Sequence, residues 1–289
     1  MGKFSYLLRS LVNINQKKNC PFCGSELLKK VDKKYFLTCL LLCKVCGLKH
    51  RHPKDSSKFL HEFYQSEYKI NNALMTSLPS LQEIEVLKLQ NFSSLRDYNK
   101  YLRYFCEPNS KTNLLDYGCS WGYNVFKLKN DGYNVKGYEL SIPRAKYGIE
   151  NLNVEIYTDE KNIPDNWNII FSSHVIEHLG DIMSFLKFSK KILTDDGLFI
   201  SFCPNGSDAY AEREFDIFHV NWGEVHPNYL NVEFAKFIFQ DNPYLILTGD
   251  WDFDSESIAN WDRASQIVGS KLDGKELLII AMPNRLINN

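Results

Sequence analysis

The chain has 289 residues, enough for one large domain and a small appendage, and its 44% hydrophobic content can fill a sizeable core. With 34 basic against 35 acidic side chains the net charge is −1, which excludes a global attraction to nucleic acid or to anionic membranes. No apolar run approaches the roughly 20 residues of a membrane span, and the start, where Arg9 interrupts Tyr6-Leu7-Leu8, makes no convincing signal peptide; a cytoplasmic protein with reduced cysteines is expected.

The first chemistry in the chain is a pair of knuckles, Cys20-Pro-Phe-Cys23-Gly and Cys43-Lys-Val-Cys46-Gly. Two residues between cysteines on a tight turn aim both sulfurs the same way, and two such pairs supply four thiolates for a tetrahedral zinc. The alternative is four free cysteines in a small hydrophobic cluster; Cys39 is a spare. Between the knuckles, 27–31 and 35–38 read as the hairpin of a zinc ribbon over residues 1–56. Lysines and arginines, among them Lys33, Lys34, Lys44, Lys49 and Arg51, make this region basic. Such a surface suits RNA or a phosphorylated substrate, and equally a plain solvated face.

Residues 57–108 have helical spacing and form a connector. Pro79 and Ser80 open its clearest helix, with Leu81, Ile84, Leu87 and Leu89 near one face. Tyr64 and Tyr68 are candidates for a lid over a cofactor, or for ordinary packing.

Residues 109–289 carry the site. Leu114 and Leu115 read as a buried strand that ends at Asp116-Tyr-Gly118-Cys-Ser-Trp-Gly122, where the chain must turn sharply and a helix can begin. Seventeen residues after Gly122, a second strand ends in Glu139, whose carboxylate can accept from both hydroxyls of a ribose. This βαβ unit resembles motif I and the following acidic motif of class I S-adenosylmethionine-dependent methyltransferases, with Ser120 standing where the middle glycine falls. The resemblance implies an α/β fold: a doubly wound, mainly parallel seven-stranded sheet with helices on both faces. It also implies S-adenosylmethionine as cofactor, held by Asp116, Gly118, Cys119, Ser120, Gly122, Glu139 and Leu140, with Thr158 and Asp159 at the adenine after a third strand at 154–157. Asp159 is alternatively simple turn chemistry.

A fourth strand, 167–173, apolar throughout its middle, suits burial on both faces. It delivers Ser173 and His174-Val-Ile-Glu177-His178 to the edge where open parallel sheets hold ligands. The string also spells the H-x-x-E-H of inverted zinc proteases, which needs both histidines on one helix; a feeding strand and an upstream nucleoside fingerprint disfavour that reading. It resembles the Glu-His segment after strand four in many small-molecule methyltransferases, some of which bind a divalent ion there. Here His174 replaces the first carboxylate of that set, and no metal is assigned to the stretch.

A helix at 182–193, an Asp195-Asp196-Gly197 turn, a fifth strand at 198–203 and Pro204-Asn205 follow. Residues 206–227 are aromatic-rich and aperiodic, the place for substrate selection by Asn205, Trp222, Glu224 and Tyr229. The string through His226 and Tyr229 resembles the Tyr-x-Glu-His-x-x-Tyr segment of zinc-ribbon sugar C-methyltransferases, with Val225 in the glutamate's place. A helix at 232–240 and an antiparallel strand pair at 244–248 and 277–281 complete the pattern.

Methyl transfer from a sulfonium needs alignment and the removal of one proton. A histidine suits that task, and His226, His178 and His174, in that order, are the candidates. The resemblance implies a small-molecule acceptor, a nucleotide sugar or glycan precursor. An RNA base methyltransferase is the alternative enzyme, with a nucleic-acid partner disfavoured by the net charge. A zinc-ribbon scaffold with a degenerate cofactor site is the non-enzyme alternative. The sequence does not set the oligomeric state.

Overall fold

The computed structural model of the chain describes residues 3–65, 77–89, 97–108, 111–224 and 226–287. Of the two expected lid residues, Tyr68 and the side chain of Tyr64 lie outside the described residues. The N-terminal part contains α1 (Lys3–Val12), then β1 (Leu28–Lys34), β2 (Thr38–Cys43) and β3 (Lys49–His52) as an antiparallel sheet. The connector contributes α2 (Ser57–Gln65), α3 (Leu81–Leu89) and a 3-10 turn, Tyr98–Tyr104. The start of α3 is a reciprocal cap, because Ser80 Oγ accepts from Glu83 N while Glu83 Oε2 accepts from Ser80 N.

The larger part runs β4 (Asn113–Tyr117), α4 (Tyr123–Asn130), β5 (Asn134–Tyr138), α5 (Ile142–Leu152), β6 (Ile156–Tyr157), β7 (Trp167–Ser173), α6 (Ile182–Ile192) and β8 (Leu193–Pro204). It continues with α7 (Asp208–Arg213), α8 (Phe215–Asn221), β9 (Asn228–Tyr229), α9 (Val232–Ile238), β10 (Tyr244–Gly249), α10 (Ser255–Asn260), β11 (Gln266–Val268) and β12 (Glu276–Ala281). The sheet order is β11-β10-β12-β8-β7-β4-β5-β6, with β12 antiparallel to both neighbours and the other pairings parallel.

Side chains alternate across a strand with period two, so a sheet covered on both faces needs apolar residues at every position. The sequence meets that demand. Leu114, Ile169, Phe171, Leu278 and Ile280 pack on one face, and Leu115, Ile170, Leu277 and Ile279 on the other. Each such burial contributes about 1.5–3 kcal/mol, and together these strands fix the sheet's register.

Two expectations change in detail. The sheet has eight strands rather than seven: three exposed residues of the polar loop, Gln266–Val268, add a parallel edge to β10. The Gln266 amide pins that edge by donating to the carbonyls of Gln240 and Asn242, a tie that no periodicity reveals. The aperiodic stretch after Asn205 contains two short helices, α7 and α8, the first started by Ser207 Oγ accepting from Tyr210 N.

The small sheet is completed by the large domain's own chain. β9 pairs antiparallel with β3, Lys49 opposite Tyr229 and His50 opposite Asn228. The basic residues expected to grip RNA or a phosphorylated substrate are partly spent on this junction. Lys49 is buried and donates to the Gly206 carbonyl and the Asp208 carboxylate. Lys34 reaches the carbonyls of Val220 and Trp222, and burial holds its ammonium down to about 8. Arg51 donates to the Gly223 carbonyl (3.1 Å), pairs with the buried Asp55 (2.7 Å), and takes the Pro227 carbonyl on its backbone N–H.

Breaking a buried ion pair leaves an uncompensated charge, which costs several kcal/mol. Arg51→Ala is expected to lower stability by about 3 kcal/mol in urea denaturation, with backbone amides of 226–231 losing hydrogen-exchange protection first.

Candidate active site

β4 and β5 lie side by side, Asp116 opposite Gly137 and Tyr117 opposite Tyr138, so the glycine loop and Glu139 meet at one edge. Gly118 and Gly122 adopt φ of +81° and +75°, and Ser120 between them is also left-handed at +54°. A serine there costs on the order of 1 kcal/mol that glycine would not. The loop compensates with specific partners. Ser120 N donates to Glu139 Oε2 (2.9 Å), and Arg144 donates to Ser120 Oγ (2.8 Å). The turn also leaves no room at Gly118, where a Cβ would sit 2.3 Å from a Val175 methyl.

Glu139 is 9% exposed and accepts one backbone N–H on each oxygen, from Ser120 and Ser141. Each carboxylate oxygen has two acceptor positions, so one on each remains for a ribose hydroxyl. These residues fit the nucleoside half of S-adenosylmethionine. Asp116 is fully buried, with Asn124 donating to Oδ2 (2.9 Å); Asn124 in turn accepts from Asn99 (2.6 Å). Burial pushes the Asp116 carboxyl up to about 7, Asn124 opposing and the Glu139 charge adding. Cys119 is buried against Gly137, and Leu140 offers its carbonyl to the amide of Gln65 (2.7 Å). Gln65 also accepts from Ile142 N, so α2 ties the connector to the cofactor edge, a contact no motif signals. Thr158 and Asp159 are exposed beyond β6, and Asp159 caps the following 3-10 turn through Lys161 N. That is the turn chemistry set beside its adenine role.

Ser173 ends β7, and His174 follows in a left-handed conformation (φ +55°) with its N–H on the Phe202 carbonyl. Its Nδ1 is 3.3 Å from Glu177, and its Nε2 is 3.3 Å from Glu276 on β12. Val175, one residue on, is the side chain that fills the space over Gly118. The Tyr98 ring, stacked on Phe202 at 4.0 Å, lies 6.3 Å from the His174 ring. Glu177 is fully buried. Burial pushes its carboxyl up, but His178, His174 and His226 outweigh this and bring it down to about 2. His226, remote in sequence, reaches the same place, its ring 4.7 Å from that of His178. Burial and His178 press the His226 imidazole down to about 4. Glu276, Tyr98 and Gln65 escaped the sequence reading. Glu276 alone left a trace, a charged residue opening an otherwise apolar strand.

The four residues expected at the substrate are committed elsewhere. Asn205 is fully buried, donating to Ser207 Oγ and to the carbonyls of Leu272 and Gly274. Trp222 is buried and donates to Asp32 (2.8 Å), which also pairs with His219 (2.6 Å). Tyr229 is buried in β9 with its ring stacked on Phe218. Glu224 pairs with Arg9 (2.7 Å). The aromatic excursion packs these rings at the ribbon junction. A recess of about 740 Å³, bordered by Lys49, Asn231, Lys236 and Gln240, opens beside α9, and none of the cofactor-loop residues lines it.

The four knuckle cysteines converge, their sulfurs all within 4.8 Å of one another. The close pairs cross between knuckles, with Cys20–Cys46 and Cys23–Cys43 each 3.5 Å apart. Tetrahedral zinc with bonds of ~2.3 Å sets sulfurs ~3.8 Å apart, so the donor set and spacing fit. A hydrogen bond from Cys46 draws the Cys20 thiol down to about 5, while Cys46 itself is pushed up. Phe22 packs edge-on against Phe234 of α9 (4.9 Å), seating the knuckles on the large domain.

A family model described as a methyltransferase domain matches residues 89–241, more than half of the chain. The chain belongs to this methyltransferase family. Its activity class is S-adenosylmethionine-dependent methyl transfer, carried on the Rossmann-like fold with the N-terminal four-cysteine, ribbon-like motif. Several solved structures are similar at low identity. Plantazolicin methyltransferase BpumL, in complex with SAH, is 13% identical over 79% of this chain and 96% of that one, with a TM-score of 0.47. Geranyl diphosphate C-methyltransferase from Streptomyces coelicolor A3(2) is 12% identical over 78% and 96%, at 0.45. A SAM-dependent methyltransferase from Archaeoglobus fulgidus is 17% identical over 78% and 99%, at 0.43. No curated protein matches the chain in sequence. Among the described residues no helix is long and apolar enough to cross a membrane.

Asp116 sets a pH dependence. The folded protein holds this proton more tightly than the unfolded chain, whose aspartates titrate near 3.8. The stability it contributes is therefore present at low pH and lost as pH rises from 3.8 to about 7. Asp116→Asn is expected to flatten that decline, by up to ~1.4 kcal/mol per pH unit, in denaturation midpoints of the cofactor-free protein.

Proposed function

We propose that the protein methylates a small-molecule acceptor, a nucleotide-linked sugar or glycan precursor, at oxygen or carbon, with His174 as the base. The observation that carries this reading is the setting of His174. It sits one residue from the side chain packed on the cofactor loop, between two carboxylates. Glu177 at Nδ1 and Glu276 at Nε2, each 3.3 Å away, would stabilise the imidazolium that forms when the ring takes a proton. Burial and His178 depress the imidazole of His226, first of the three candidates by sequence, which weakens it as a base.

S-adenosylmethionine, when bound, supplies a methyl group on a cationic sulfur. Glu139 orients the ribose, the Gly118–Gly122 turn orients the methionine end, and the sheet edge keeps the reacting atoms in line. His174 would take the proton that the acceptor's O–H or C–H gives up on methylation. We place a structural zinc in the four thiolates, which suit the reducing cytoplasm. The reading divides the chain into a ribbon at 1–56, a connector at 57–108 and a methyltransferase domain at 109–289. The internal use of Lys34, Lys49 and Arg51 favours a small acceptor over RNA.

Incubation with methyl-labelled S-adenosylmethionine and a panel of nucleotide sugars is expected to label a sugar nucleotide, and His174→Ala to lower kcat by about 10²–10⁴. Labelling of RNA alone, or full turnover in the His174, His178 and His226 triple alanine variant, would remove this reading. Stripping zinc with a strong chelator is expected to expose 226–231 to hydrogen exchange and abolish turnover, while calorimetry still detects S-adenosylmethionine binding.

A further inference from the structure

The junction with the large domain does not use every basic group of the ribbon. In β3, Lys49 and Arg51 send their side chains to Asp208 and to the Gly223 carbonyl. Alternate residues of a strand face opposite ways, so His50 and His52 share the other face. Asn228 lies opposite His50 in the register, and its amide donates to the carbonyls of Leu179 (2.7 Å) and Glu177 (3.4 Å). Directly opposed residues share a face, so this side of the ribbon is turned towards the exit of β7.

His52 is only 5% exposed, yet neither ring nitrogen has a hydrogen-bond partner among the described residues. A buried polar ring left bare on both nitrogens is costly and calls for a partner. Burial, then the charges of Lys18 and Lys54, press its imidazole below the ordinary value. Two hydrogen bonds hold the segments of these lysines side by side: Lys54 N donates to Gln16 Oε1 (3.1 Å), and Gln16 Nε2 donates to Lys54 O (3.2 Å). The carboxylates close by in the chain are engaged elsewhere, Glu26 by Lys17 (2.6 Å) and Asp55 by Arg51 (2.7 Å) and Arg9 (3.4 Å). Among the described residues no carboxylate pairs with Lys18 or Lys54. Burial holds the Lys54 ammonium down, and the Cys20 sulfur is the negative group that opposes this. The cluster also has a way in, because Lys18 is exposed, Lys54 half-buried and His52 buried. Like charges gathered without a counter-charge focus a positive field that an anion relieves.

We propose that Lys18, Lys54 and His52 form a site for a diphosphate group. Two ammoniums are point charges that suit phosphate oxygens, and a neutral imidazole adds one N–H donor. A single carboxylate would leave one ammonium unmatched, whereas a diphosphate carries at least two negative charges. The site deepens the reading above and rests on it in one respect, that the diphosphate belongs to the acceptor. Held on the ribbon face turned to the β7 exit, that group would leave the rest of the acceptor to extend towards His174.

The test uses the full-length, zinc-loaded protein with inorganic pyrophosphate as probe. Calorimetry at low salt is expected to show one pyrophosphate bound per chain. The imidazole proton resonances of His52 should shift along the same curve, a wild-type measurement that no misfolded variant can obscure. Lys54→Gln should weaken binding at least about tenfold, the loss of one charge-assisted hydrogen bond. Lys29→Gln is the control, since Lys29 falls in register with Leu42 and Lys49 on the opposite face, and it should leave the affinity unchanged. Absence of binding, His52 resonances that stay fixed, or an equal loss in Lys29→Gln overturns the site. So does a well-folded Lys54→Gln protein that sheds zinc but keeps its pyrophosphate affinity, because Lys54 then serves the Cys20 thiolate alone. Methyl transfer separates the two readings. Pyrophosphate binding as described, with no sugar nucleotide methylated, keeps the site and removes the acceptor reading. A methylated sugar nucleotide whose KM ignores Lys54→Gln, in a protein that binds no pyrophosphate, removes the site alone.

Discussion

The pairing of β9 with β3 is the contact on which the site depends. Two residues after His226, the chain of the large domain becomes the fourth strand of the ribbon sheet. Four sulfurs converge in the ribbon, which is seated on α9 through Phe22. A short strand has little stability of its own. This one persists because Arg51 grips both sides of the turn, through the carbonyls of Gly223 and Pro227. The ribbon acts as a splint that brings a remote histidine against the exit of β7.

The cofactor edge meets a related problem by a different route. A serine in a left-handed turn is strained, and the loop holds it by giving its amide to Glu139 and its hydroxyl to Arg144. Glu139 thereby braces the loop through its own carboxylate. The amide of Ser141 completes the brace. A loop shaped by such contacts before any ligand arrives spends little further entropy on binding.

Electrostatics at the β7 exit follow from burial. Burial raises the Glu177 pKa, and the groups that bring it down are the histidines His178, His174 and His226. Glu276 brings a second carboxylate to His174 from a strand more than a hundred residues later. The Asn221 carbonyl beside Nδ1 places the His226 proton on that nitrogen and leaves Nε2 as an acceptor.

Much of this was legible in the residues. Doubly covered strands announce themselves as unbroken apolar runs, as at Ile169-Ile170-Phe171, and a local turn such as Asp116 to Gly122 carries its geometry in its own glycines. Cysteines two apart declare a common direction for the same reason, since each signal lies within a few residues of chain. The sequence did not disclose that Trp222 and Tyr229 would be buried at the ribbon junction, that Asn205 would be consumed by the 272–274 loop, or that Lys34 and Lys49 would turn inward. Nor did it disclose that Glu276, Tyr98 and Gln65 would reach the site, or that His226 would close on Glu177. Those outcomes are contacts between segments tens to hundreds of residues apart, and only the packed tertiary structure decides which side chain finds which partner. Local pattern determined the sheet, the cofactor turn and the thiol knuckles; long-range packing determined which histidines and carboxylates share a site.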